Sequence, residues 1–158
     1  MRSFTIIKTI LFIVLFSGLG SDAGAQEKGK ALKDLLDSRH FTFKARTMMP
    51  TGRGARQLTS DYDLTIKGDT VVAYLPYFGR AYAPVLPGEG GIDFTSTHFT
   101  YKIREKKDEW LVTIQPKDTR DVRQLYLTIQ DNGYAQLQVN SNNRQPISYS
   151  GQIEKPDR

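Results

Sequence analysis

Leu125-Tyr126-Leu127-Thr128-Ile129-Gln130-Asp131-Asn132-Gly133-Tyr134-Ala135-Gln136-Leu137-Gln138-Val139 holds two alternating runs on either side of a short polar break. Leu125, Leu127 and Ile129 alternate with polar partners, and Ala135, Leu137 and Val139 do the same after a break. Period-two alternation places one apolar and one polar face on each segment, as a half-buried strand requires. The break is Asp131-Asn132-Gly133, and Asn and Gly accept the positive φ that a tight hairpin demands. This is a β-hairpin.

The same pattern extends in both directions. Toward the C-terminus, a turn at Asn142-Asn143-Arg144-Gln145 leads to Ile147 and Tyr149. Toward the N-terminus, Trp110, Val112 and Ile114 follow the turn Lys106-Lys107-Asp108, which in turn follows Phe99, Tyr101 and Ile103. Ile92 and Phe94 begin a short strand. Val71, Ala73 and Leu75 follow the Gly68-Asp69 turn, preceded by Tyr62, Leu64 and Ile66, and first of all by Phe41, Phe43 and Ala45. Nine short strands at regular spacing predict an all-β domain, an antiparallel meander forming a lipocalin-like barrel or a strongly curved sheet. One short helix precedes them, because Leu32, Leu35 and Leu36 recur at helical spacing before Arg39-His40. Such a helix is unstable alone and must dock on the sheet.

Residues 1–25 read as a signal peptide. Arg2 and Lys8 are followed by an apolar run from Thr9 to Leu19, and Ala23-Gly24-Ala25 offers a small-residue cut site. The run is shorter than the roughly 20 residues that span a bilayer. The expected product is a single β domain over residues 26–158, exported to the periplasm or beyond and not membrane-spanning. Losing Arg2, Lys8 and Asp22 leaves 20 basic and 16 acidic residues, a net charge of +4. Export sets nucleic acid aside as a partner. An outer-membrane barrel needs strands of about nine to eleven residues with a lipid-facing apolar band, and these strands read as shorter with charged second faces.

Several chemistries lack their residues. The chain has no cysteine, so disulfides and thiolate metal sites are excluded. His40 and His98 are its two histidines, and neither lies in a metal-ligand pattern. No metal, cofactor or catalytic residue is predicted. Asp61 and Asp63 share one polar strand face, where they could form a carboxylate pair or simply face water. Gly52-Arg53-Gly54, with Arg46 and Arg56 near, is a basic loop with the charge to hold phosphate. Gly88-Glu89-Gly90-Gly91 lacks the helix of a phosphate cradle and reads as a connection.

One segment differs in kind: Leu75-Pro76-Tyr77-Phe78-Gly79-Arg80-Ala81-Tyr82. Pro76 removes a ladder donor and ends the strand, while Gly79 permits a bend. Aromatics with polar tips beside a guanidinium resemble the lining of ligand sites. Either these aromatics plug one end of the sheet with Arg80 stacked on them, or Tyr77, Phe78, Arg80 and Tyr82 are ligand-binding residues, with Arg144 as an outlying candidate.

That segment, the Gly90-Gly91-Ile92-Asp93-Phe94 element and Asn143-Arg144-Gln145 before Ile147-Ser148-Tyr149-Ser150-Gly151 resemble a family of exported proteins from Bacteroides-type bacteria, a domain of unknown function. The resemblance covers about Phe41 to Ile153. It implies an envelope location and a single domain, and it implies no activity. Many relatives carry a lipoprotein cysteine at the signal cut, which this chain lacks. The function is unknown from sequence. The leading expectation is a non-enzymatic periplasmic binding or interaction module for a small molecule or an envelope protein. A structural envelope protein that binds another protein through a sheet edge comes second. A hydrolase using Asp61, Asp63 or His98 is third.

Overall fold

The computed structural model describes residues 22–82, 90–107 and 109–156. The apolar run of the predicted signal peptide, most of the connection after Tyr82 and Asp108 of a predicted turn lie outside the described residues. Among the described residues, one helix, α1 (Asp22–Asp37), precedes nine strands: β1 (His40–Pro50), β2 (Arg56–Lys67), β3 (Thr70–Leu75), β4 (Ile92–Ser96), β5 (Phe99–Lys106), β6 (Glu109–Pro116), β7 (Val122–Gln130), β8 (Tyr134–Ser141) and β9 (Ile147–Glu154).

Every pairing is antiparallel, in the order β4-β3-β2-β1-β9-β8-β7-β6-β5. First and last strands join, Phe43 opposite Ile153 and Ala45 opposite Gly151. The meander thus curls into a nearly closed barrel whose one seam lies between β4 and β5. Of the two predicted architectures this is the barrel, with the long-range pairing of β1 and β9 joining its two halves and the ring left open only between β4 and β5.

The predicted faces are inside. Phe41, Phe43, Leu64, Ile66, Val112, Leu125, Leu127, Leu137 and Tyr149 are wholly buried, so side chains fill the interior. Lys102, Arg104, Gln136 and Gln138 are exposed between them, the reverse of a lipid-facing barrel. No helix among the described residues is long and apolar enough to cross a membrane.

Two strands exceed their predicted lengths. β1 runs 11 residues and β2 runs 12, so residues 47–60 form most of a hairpin. Alternation is poor there because a register shift between Ala45 and Thr47 interrupts the in-out pattern. The hairpin at residues 131–133 is built as expected, with Gly133 at φ 83° and its amide on the Gln130 carbonyl at 2.9 Å.

The helix docks beside the seam. Leu32 and Leu36 are buried, each contributing about 1.5–3 kcal/mol. The Tyr101 hydroxyl donates to the Leu36 carbonyl at 2.8 Å, and Lys33 pairs with Glu105 at 2.8 Å. Arg39 ends the helix at φ 53°, a conformation usually left to glycine, and its guanidinium lies 5.1 Å from the Tyr101 ring centre. The helix begins at Asp22, so the predicted cut after Ala25 falls in its first turn and leaves the docked leucines untouched.

Asp118 holds the seam's closed end. Its carboxylate accepts the amides of Thr97 (2.9 Å) and His98 (3.1 Å) and the Ser96 hydroxyl, tying the β4–β5 turn to the β6–β7 loop. These hydrogen bonds, the Ser96 hydroxyl first, hold the Asp118 carboxyl below its ordinary pKa.

Candidate functional site: an aromatic–arginine face on the barrel rim

The chain leaves the barrel at Pro76, whose carbonyl accepts the buried Tyr149 hydroxyl at 2.7 Å. Tyr77 then folds back over the segment that follows it. Its hydroxyl lies 2.9 Å from the Arg80 carbonyl and 3.1 Å from the Gln145 carbonyl, donating between them. A Cβ on Gly79 would overlap the Tyr77 ring and hydroxyl, so only glycine allows this approach. Burial pushes the Tyr77 phenol above its ordinary pKa, against the opposing pull of Arg144.

Residues 80–82 run antiparallel to the β8–β9 turn. Gln145 donates its amide to the Arg80 carbonyl at 3.0 Å, Tyr82 donates to the Asn143 carbonyl at 2.7 Å, and Ala81 bridges Arg144. Hence the backbone of a nominal loop is held like a short strand. Its side chains face outward: Phe78 is 48% exposed, Tyr82 is 69% exposed, and Arg80 is also exposed. The Arg56 guanidinium lies 5.1 Å from the Phe78 ring centre, a contact across from β2 that sequence spacing could not reveal.

Arg144 has a different role from these. Its side chain is 10% exposed, and Nε pairs with Asp121 at 3.0 Å. One terminal nitrogen donates to the Gly91 carbonyl at 2.8 Å and lies 3.4 Å from that of Gly90. The guanidinium covers the Tyr77 ring at 5.2 Å. The three separate segments that carried the family resemblance therefore meet at this residue. Arg144 also lines a cleft of about 520 Å³ with Asp93, Asp118 and Asp121. Two of those carboxylates are already committed, Asp121 to Arg144 and Asp118 to the seam.

The carboxylates and the histidine considered for catalysis stand apart from this face. Asp63 is paired with Lys44 at 3.2 Å, Asp61 is exposed, and His98 is exposed on the β4–β5 turn. Among the described residues, no group of three or more His, Asp or Glu is placed to hold a metal.

Fold and face together define a helix-capped, nearly closed antiparallel β-barrel with an aromatic–arginine surface on its rim. The chain belongs to the family described as a domain of unknown function, DUF4251, whose model matches residues 23–153. This agrees with the family expected from the three segments. A crystal structure of a DUF4251 family protein from Bacteroides eggerthii DSM 20697 superimposes with a TM-score of 0.55 at 18% identity, covering 85% of this chain and 90% of that one. At that identity the likeness concerns the fold. No curated protein matches the chain.

Proposed function

We propose that the protein is exported, cut after Ala25, and acts in the periplasm as a non-enzymatic binding module. Ligand would contact Phe78, Arg80 and Tyr82, while Tyr77 and Arg144 hold these residues in place. One observation carries this reading: exposed aromatic and cationic side chains stand on a backbone held by hydrogen bonds to the β8–β9 turn. A pre-held surface loses little conformational freedom on binding, and aromatic rings supply contact area at low entropic cost.

The test is native mass spectrometry of protein purified from the periplasm of its host. A bound small molecule, lost in a Phe78→Ala/Arg80→Ala variant, supports the reading. Retention of that molecule by the variant removes the site. N-terminal sequencing checks export, which predicts Gln26 as the first residue.

The barrel seam favours a second reading, because β4 and β5 end the sheet and do not pair with each other. A partner protein adding a strand there would co-purify stoichiometrically and be indifferent to the Phe78→Ala/Arg80→Ala change.

A further inference from the structure

Arg80 borders a recess of about 260 Å³, lined by Thr51, Gly52, Arg53, Arg80 and Gln145. The two arginines come from distant parts of the chain, Arg53 from the β1–β2 turn and Arg80 from the segment after β3. Two bonds bring them onto one recess. The Thr51 hydroxyl donates to the Pro146 carbonyl at 2.7 Å, which fixes the turn against the start of β9. Gln145 pairs through its backbone with Arg80 at 3.0 Å.

The chemistry of the lining is one-sided. Neither Arg53 nor Arg80 has a carboxylate partner among the described residues. The Gln145 side-chain oxygen faces the Arg80 amide at 3.4 Å, so its amide nitrogen remains as a donor. The Thr51 hydroxyl proton is spent on Pro146. Two arginines, each with a guanidinium fork, and a glutamine carboxamide therefore line a recess whose lining contains no acidic side chain. Such forks match the oxygens of carboxylates and phosphates in pairs.

We propose that this recess is an oxyanion site: it takes the carboxylate or phosphate-ester group of a small molecule between Arg53 and Arg80. The inference rests on the binding-module reading and gives it a ligand class. The volume exceeds that of one ion, which leaves room for part of the ligand beyond the anionic group. Phe78 is not part of that lining, but it lies two residues from Arg80 and is half exposed, so it is the aromatic to test against whatever the anionic group carries.

The test titrates the purified protein with inorganic phosphate, phenyl phosphate and benzoate at low ionic strength, where screening is weak. The arginine Nε–H resonances are followed by NMR, with sodium chloride matched for ionic strength as the control. Arg53 and Arg80 should shift together and saturate with phosphate or benzoate, and not with chloride. Arg53→Ala and Arg80→Ala should each weaken binding about tenfold to hundredfold. Both side chains are exposed, so the variants should fold, and unchanged melting temperatures check this.

Equal shifts at Arg120 and Arg123 would mean diffuse attraction to a basic surface and overturn the site. Phenyl phosphate binding that needs Phe78 and Arg80 but ignores Arg53→Ala would also overturn it, while leaving the binding-module reading intact. Preference for phosphate supports a phosphate-ester ligand, and preference for benzoate supports a carboxylate.

Discussion

The Arg144 guanidinium carbon lies 5.2 Å from the centre of the Tyr77 ring. Through that contact, a residue of the β8–β9 turn holds down the segment that carries Phe78, Arg80 and Tyr82. Removing Arg144 would leave Asp121 without its partner, free the carbonyls of Gly90 and Gly91, and uncover Tyr77. Arg144→Ala should cost about 2–4 kcal/mol, below the range for a fully buried pair because Asp121 is 30% exposed. Lysine cannot offer a fork, so Arg144→Lys should recover only part of the loss. Urea unfolding measures both. Limited proteolysis should show new cleavage between Tyr77 and Tyr82 in the alanine variant.

Gly151 sits opposite Ala45 where β1 bulges. A Cβ there would drive into the Lys44 carbonyl and backbone. Backbone atoms in the ladder that closes the barrel cannot yield as a flexible side chain can. Gly151→Ala should therefore lose about 3 kcal/mol or more, or fail to fold. A variant that melts within a few degrees of the parent would show that the ring closes without this close approach.

Acid should open the seam. The folded-state pKa of Asp118 is depressed, so its contribution is present above the ordinary aspartate range, about 3.9. It is lost as pH falls through the lower folded value, because the unfolded chain then binds protons more readily. Asp118→Ala should melt below the parent at pH 7, and the gap should close as pH drops to about 2. A gap independent of pH would mean that the carboxylate charge plays no part.

Alkali should act through two tyrosines. Burial pushes the phenols of Tyr101 and Tyr149 well above the ordinary tyrosine range. Their stabilisation is fully present below about pH 10 and is lost as pH rises toward the folded values. Melting temperature should fall steeply above about pH 10, and a Tyr101→Phe/Tyr149→Phe variant should fall less. At pH 7 each change should cost about 1–2 kcal/mol, since the carbonyls of Leu36 and Pro76 lose their donors. An alkaline slope unchanged in the double variant would place the titration elsewhere.

All nine strands were legible as local patterns, because alternation along one strand reports which side chains face the core. The Asp131-Asn132-Gly133 hairpin was legible for the same local reason, and so was the leucine stripe of α1. The lower halves of β1 and β2 were not. Arg56 to Asp61 does not alternate, and the bulge beside Ala45 breaks the period on which the reading relies.

The candidate face divides in the same way. Composition alone drew attention to Tyr77, Phe78, Arg80, Tyr82, Arg144 and the basic loop around Arg53. It could not separate the exposed Arg80 from the nearly buried Arg144, nor bring Arg53 to Arg80, because neither fact has a periodicity.

Short windows of the amino-acid sequence carried the strand-by-strand pattern, and composition carried the lack of thiol chemistry. The tertiary structure decided that β1 meets β9, that Arg144 ties three distant segments together, and that two arginines share one recess. These depend on closing long loops of chain, and a long-range contact leaves no periodic mark on either of the residues that make it.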